Sequence, residues 1–72
     1  MSMNVEYDRD TDVLYIRIRD GSYAYSEEIN ENVIIDLDNE GKILAMEILD
    51  ASSTLGKETL EKTLKAEGAI IT

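Results

Sequence analysis

Runs with a period of two dominate the first fifty positions of the chain, and the pattern stops at Asp50. A period of two sends successive side chains to opposite faces of a strand, so these runs are read as strands. Met3, Val5 and Tyr7 alternate with Asn4 and Glu6. After Asp8-Arg9-Asp10-Thr11-Asp12, a second run places Leu14, Ile16 and Ile18 on one face and Val13, Tyr15, Arg17 and Arg19 on the other. The Asp-rich connection reads as a hairpin turn. Asp20-Gly21-Ser22 ends the second strand, and Tyr23–Ile29 reads as a short edge strand or an ordered loop. Glu27 and Glu28 would protect such an edge. Val33–Leu37 is apolar and β-branched at nearly every position, as a central strand should be. Asp38-Asn39-Glu40-Gly41 supplies turn chemistry, and Ile43–Leu49 returns.

Beyond Asp50 the spacing changes. Ser52, Ser53 and Thr54 are helix-start residues. Leu60 and Leu64 stand four apart, Glu58–Lys62 and Glu61–Lys65 are favourable i, i+4 pairs, and Gly68 suits the end of a helix. Gly56 divides a first turn around Leu55 from the main helix. Ala69-Ile70-Ile71-Thr72 is β-prone and is expected to join a sheet edge, in this chain or in a second copy. The expected fold is therefore a single α+β domain over residues 1–72. It consists of an antiparallel four-stranded β-meander followed by one C-terminal α-helix packed on one sheet face. The two hairpin turns of that meander would share an end, gathering Asp8, Asp10, Asp12, Asp36 and Asp38 into one acidic rim.

One short helix covers one face of such a sheet. Val13, Tyr15, Ile34, Ile43, Ala45 and Leu49 would remain open, and an apolar patch of that kind marks an interface. A chain of 72 residues buries only about 60% of its unfolded surface, and with no cysteine it has no disulfide to help. A homodimer is the expected remedy, joined sheet face to sheet face or through an edge.

The charge of −9 narrows the function classes. All of it lies in residues 1–50, which hold 13 acids and four bases, while residues 51–72 are balanced. Nucleic-acid affinity needs lysine and arginine on the surface, so no nucleic-acid partner is expected. The chain has no histidine and no cysteine, which leaves no zinc finger, thiol chemistry or imidazole relay. No enzyme is expected. No apolar run reaches the roughly 18 residues of a membrane span and no signal peptide is recognisable, so a cytoplasmic protein without a membrane partner is expected.

Two motifs could carry chemistry. Asp36-Leu37-Asp38-Asn39-Glu40-Gly41, with Glu47 beyond it, nearly matches a calcium-loop template. Asp36, Asp38 and Glu40 are the candidate ligands of Ca²⁺ or another divalent cation. The flanks are strands rather than helices, however, and Glu47 would run away along its strand, so a hairpin turn is the plainer reading. Asp8-Arg9-Asp10-Thr11-Asp12 is read the same way. Glu47 interrupts an apolar strand on the face of Arg17 and Arg19 and suggests a cross-strand ion pair. Asp50 is placed to cap the helix. No cofactor is otherwise expected, and no catalytic residue is assigned. The residues expected to meet a partner are Asp8, Asp12, Tyr15, Arg17, Glu47 and Asp50.

Certain residues also resemble a family. Tyr7-Asp8, Asp12, Leu14-Tyr15-Ile16, Ser26-Glu27-Glu28, Val33, Asp36, Asp38, Gly41 and above all Glu47-Ile48-Leu49-Asp50-Ala51-Ser52 are similar to the small, uncharacterised prokaryotic proteins grouped as domain of unknown function 2283. The resemblance spans about residues 4–55. It implies a stand-alone α+β domain with no established activity, and it implies that the Tyr-Asp…Asp and Glu-Ile-Leu-Asp-Ala-Ser positions determine the fold. Some members lie beside genes resembling small toxins, which implies an antitoxin-like role. The leading expectation is thus a non-enzymatic homodimeric module that docks a basic protein, and the alternative is a weak divalent-cation binder.

Overall fold

The computed structural model describes residues 4–72; Met3, read above as part of the first strand, lies outside them. Strands β1 (Asn4–Asp8), β2 (Val13–Arg17), β3 (Tyr25–Asn30), β4 (Val33–Leu37) and β5 (Ile43–Ile48) precede helices α1 (Ala51–Leu55) and α2 (Lys57–Glu67). A two-residue strand, β6 (Ile70–Ile71), follows. The fold is α+β, but the sheet is six-stranded and mixed, in the order β3-β4-β5-β2-β1-β6. The β1–β2 hairpin docks on β5, not on β4, because the open side of β4 is taken by β3. The four-stranded meander is therefore corrected to a β3-β4-β5 meander, an added β1–β2 hairpin and a parallel closing strand, β6 beside β1.

That order also separates the acidic turns. Leu14 stands opposite Ile48 and Arg17 opposite Ala45, so the turn after β1 lies at the end of β5. The turn between β4 and β5 lies at the opposite end of the sheet. The expected rim of Asp8, Asp10, Asp12, Asp36 and Asp38 does not form, for this topological reason.

Register divides the side chains as the alternation requires. Val5, Tyr7, Leu14, Ile16, Met46 and Ile48 share one face. The helices cover that face, and Val5, Tyr7, Leu14, Ile48, Ala51, Leu60 and Leu64 form the main core. Leu14 is fully buried. Leu60 and Leu64 face this core because they lie one turn apart on α2. Gly56 adopts φ 85°, a conformation that costs a side chain dearly, and it separates α1 from α2 as the sequence suggested. At the far end Gly68 is left-handed at φ 59°, and the Ala69 amide donates to the Leu64 carbonyl at 3.0 Å, which closes the helix in a Schellman turn. β6 then runs beside β1, and the Thr72 amide donates to the Tyr7 carbonyl at 2.9 Å.

Candidate functional site

The densest polar constellation joins the β1–β2 turn to the start of α1. Asp12 adopts a left-handed conformation, φ 57°, which its short polar side chain tolerates. That bend aims its carboxylate at the helix. Ser52 Oγ donates to Asp12 Oδ2 at 2.6 Å, and the Ser52 amide donates to Oδ1 at 3.1 Å. Tyr7 Oη donates to the same Oδ1 at 2.5 Å. The Ala51 amide donates to the Asp12 main-chain carbonyl at 2.9 Å. Two of the amides that a helix leaves unpaired at its start are thus taken by one distant aspartate.

The sequence places Asp50 to cap this helix. It occupies the capping position at φ 48°, and its own carboxylate makes no capping bond. Asp12 takes that role from across the fold.

These bonds set the titration of the group. The Ser52 hydroxyl first, then the Tyr7 hydroxyl and the Ser52 amide, hold the Asp12 carboxyl below its ordinary value, while burial opposes them. The bond to Asp12 raises the Tyr7 phenol, burial and the Asp12 charge add to it, and Arg9 opposes. A general base works best with a pKa near the operating pH. Asp12 is shifted away from that range and is already shared among donors, so it is poorly suited to activate Ser52 as a nucleophile. The chemistry it does support is fastening.

Arg9 extends the same end of the molecule. Its guanidinium sits 5.8 Å from the Tyr7 ring centroid and 3.9 Å from Glu61 of α2. Asp8 stays within the turn, where its carboxylate accepts the Asp10 amide at 2.9 Å.

A second constellation lies on the sheet face without helices. Glu6 stands opposite Tyr15, Tyr15 opposite Glu47 and Glu47 opposite Ile34. The next row sets Arg17 against Ala45 and Ala45 against Asp36. Tyr15, Ile34 and Glu47 are half-buried, and Arg17 is exposed. Arg17 pairs with Asp20 at 3.8 Å rather than with Glu47. The expected ion pair is absent because Glu47 faces Tyr15 directly and reaches Arg17 only on a diagonal. Hollows open on this face. One, of about 300 Å³, is lined by Asn4, Glu6, Tyr15, Arg17 and Asp20. Another, of about 190 Å³, is lined by Tyr15, Arg17, Arg19, Tyr23 and Asp36 among others. A third, of about 360 Å³, is lined by Glu6, Asp8, Val13, Tyr15 and Thr72 among others.

The candidate cation ligands are not brought together. Asp38 Oδ1 accepts the Glu40 and Lys42 amides at 2.9 Å each, and these bonds, the Lys42 one foremost, lower its pKa. Glu40 pairs with Lys42 at 3.2 Å. Asp36 accepts Ser26 Oγ at 2.8 Å, away from the turn. Among the described residues no three acidic side chains gather as a metal cage.

Residues 4–52 match the family described as Protein of unknown function (DUF2283). The chain belongs to that family. No curated protein and no solved structure matches it. The span that defines it as a DUF2283 chain ends at Ser52, so it contains every member of the Tyr7–Asp12–Ser52 fastening. The positions quoted above as similar to the family include these three residues; what the sequence alone left unread is that they meet. In this DUF2283 chain no helix among the described residues is long and apolar enough to cross a membrane.

Proposed function

We propose that this chain is a non-catalytic protein-binding domain whose open sheet face docks a basic partner. The observation that carries the reading is the composition of that face. Val13, Tyr15 and Ile34 give it apolar surface, Glu47 stands between Tyr15 and Ile34, and Glu6, Glu28 and Asp36 lie around them, whereas Ala45, expected to be open there, is buried and Arg17 on the same face is paired with Asp20. Apolar centres within polar rims are the anatomy of protein interfaces, and like-signed rims select the opposite sign. The surplus of acids in the first fifty residues, which hold every strand except β6, points the same way. An antitoxin that occupies a basic toxin would have this character.

Self-association is favoured at a different place. Two copies stacked on the open face would oppose their acidic rims. Ile70 and Ile71 of β6 are exposed in the segment whose charges balance, so a homodimer built on that edge avoids the repulsion.

The test is recovery of the tagged chain from its own cells at low salt, with native mass and identification of whatever accompanies it. The expected result is a complex with a protein of high isoelectric point, released by salt and lost in Glu47→Lys. Recovery of the chain alone, or of a complex indifferent to salt, overturns the reading.

A further inference from the structure

The sheet has two outer edges, and they differ. β6 spans two residues, whereas β3 spans six, about 20 Å of extended backbone. Every residue of β3 is exposed. Its inner side is paired with β4, and among the described residues no strand pairs with its outer side. An edge strand of this length offers a row of free amides and carbonyls, a template for one more strand.

Charge on an edge strand ordinarily serves to prevent such pairing, and Glu27 and Glu28 do this against a second copy of the chain. Antiparallel self-pairing about the middle of β3 would set these carboxylates against their own counterparts, which is unfavourable. Yet the segment is not uniformly polar. Tyr23, Tyr25 and Ile29 are 61%, 42% and 58% exposed. Tyr25 and Ile29 lie in β3 and Tyr23 just before it, its hydroxyl 2.8 Å from Ser26 Oγ, and a strand kept only for protection has no need of such large side chains in solvent.

Acids that repel a copy, apolar side chains that offer contact and an unpaired backbone together fit one occupant. We propose that the outer edge of β3 receives an extended, basic segment of the partner as a further antiparallel or parallel strand. This rests on the protein-binding reading above and adds to the open face a second point of contact, on the edge strand that borders it. Glu27 and Glu28 point to opposite faces of the sheet, so lysines or arginines on either face of an incoming strand find an acid. Main-chain bonds supply affinity in this mode, and the flanking side chains supply selection.

The probe is a short peptide of alternating lysine and valine, compared with one of equal charge carrying a central proline, which cannot donate to the ladder. The expected result at low salt is at least about tenfold tighter binding of the uninterrupted peptide, with about tenfold slower hydrogen exchange at outward β3 amides. The variant Glu27→Lys/Glu28→Lys, checked as folded by circular dichroism, should lose both effects. No binding, or equal binding of the two peptides, overturns edge docking. A complex with the cellular partner that survives Glu27→Lys/Glu28→Lys also overturns it and leaves the protein-binding reading intact. Absence of any cellular complex overturns that reading instead.

Discussion

Ser52 and Asp12, separated by 40 residues, share a hydrogen bond of 2.6 Å that ties the second half of the fold to the first hairpin. Removing the hydroxyl leaves the Asp12 carboxylate short of a donor it cannot replace from the core. Ser52→Ala should lower Tm by about 5–10 °C, the scale of one charge-assisted bond in a domain this small. Tyr7→Phe should do the same by removing the other hydroxyl. Thermal unfolding followed by circular dichroism measures both. The two losses together should differ from their sum, because the bonds converge on one carboxylate.

The same fastening predicts a pH dependence. Asp12 titrates below its ordinary value of 3.8 when folded, so its stabilising contribution is complete above that value and is lost as pH falls through the folded pKa. Asp38 is shifted in the same direction and adds to the acid limb. Tyr7 is raised above 10.0, so its contribution is complete below 10.0 and is lost as pH rises through the folded value. In urea titrations across pH, Asp12→Asn should be less stable than the parent at pH 7, and the two curves should converge on acidification below pH 3.8. Tyr7→Phe should converge with the parent on the alkaline side. Parallel curves throughout would remove the fastening from the account.

Leu14 is the centre of the main core and has no exposed surface. Leu14→Ala leaves a cavity between sheet and helices at a cost of about 2–5 kcal/mol. A domain of 72 residues has a total stability of about 4–11 kcal/mol. The variant should therefore unfold at a much lower urea concentration, with an unchanged slope if it stays two-state. Gly68→Ala tests the helix end independently. Its left-handed conformation costs a side chain about 1–2 kcal/mol, and β6 depends on the turn it makes.

What the sequence made legible was local. Alternation locates β1, β2 and β5, a continuous β-branched apolar run locates β4, and the alternation assigns Leu14 and Tyr15 to opposite faces correctly. Gly56 and Gly68 marked helix boundaries because positive φ is a property of single residues. The order of the strands was not legible, since hairpin turns fix only neighbours in sequence. Whether β2 meets β4 or β5 depends on β3 having claimed the side of β4, and the sequence leaves β3 between strand and loop because Ser26-Glu27-Glu28 breaks the apolar alternation. The expected order puts Asp38 at the end of the sheet shared with Asp12, whereas the observed order puts it at the opposite one. The fastening was hidden for a related reason. Tyr7, Asp12 and Ser52 are each ordinary in their own segments, and their bonds exist only once the β1–β2 turn lies beside α1.

Salt should stabilise the folded chain, and the identity of the divalent cation should not matter. A net charge of −9 on 72 residues opposes compaction, and screening relieves that repulsion over a Debye length of about 10 Å at 0.1 M. Sodium chloride should accordingly raise Tm progressively. Calcium and magnesium at equal concentration should raise it equally, because Asp38 is engaged with turn amides, Glu40 with Lys42 and Asp36 with Ser26. A calcium cage would need those carboxylates released and brought together, which trades existing bonds for new ones. It would appear as a Tm excess of calcium over magnesium and as amide shifts confined to residues 36–42. Such an excess at millimolar concentration would establish the cation site and displace screening as the explanation.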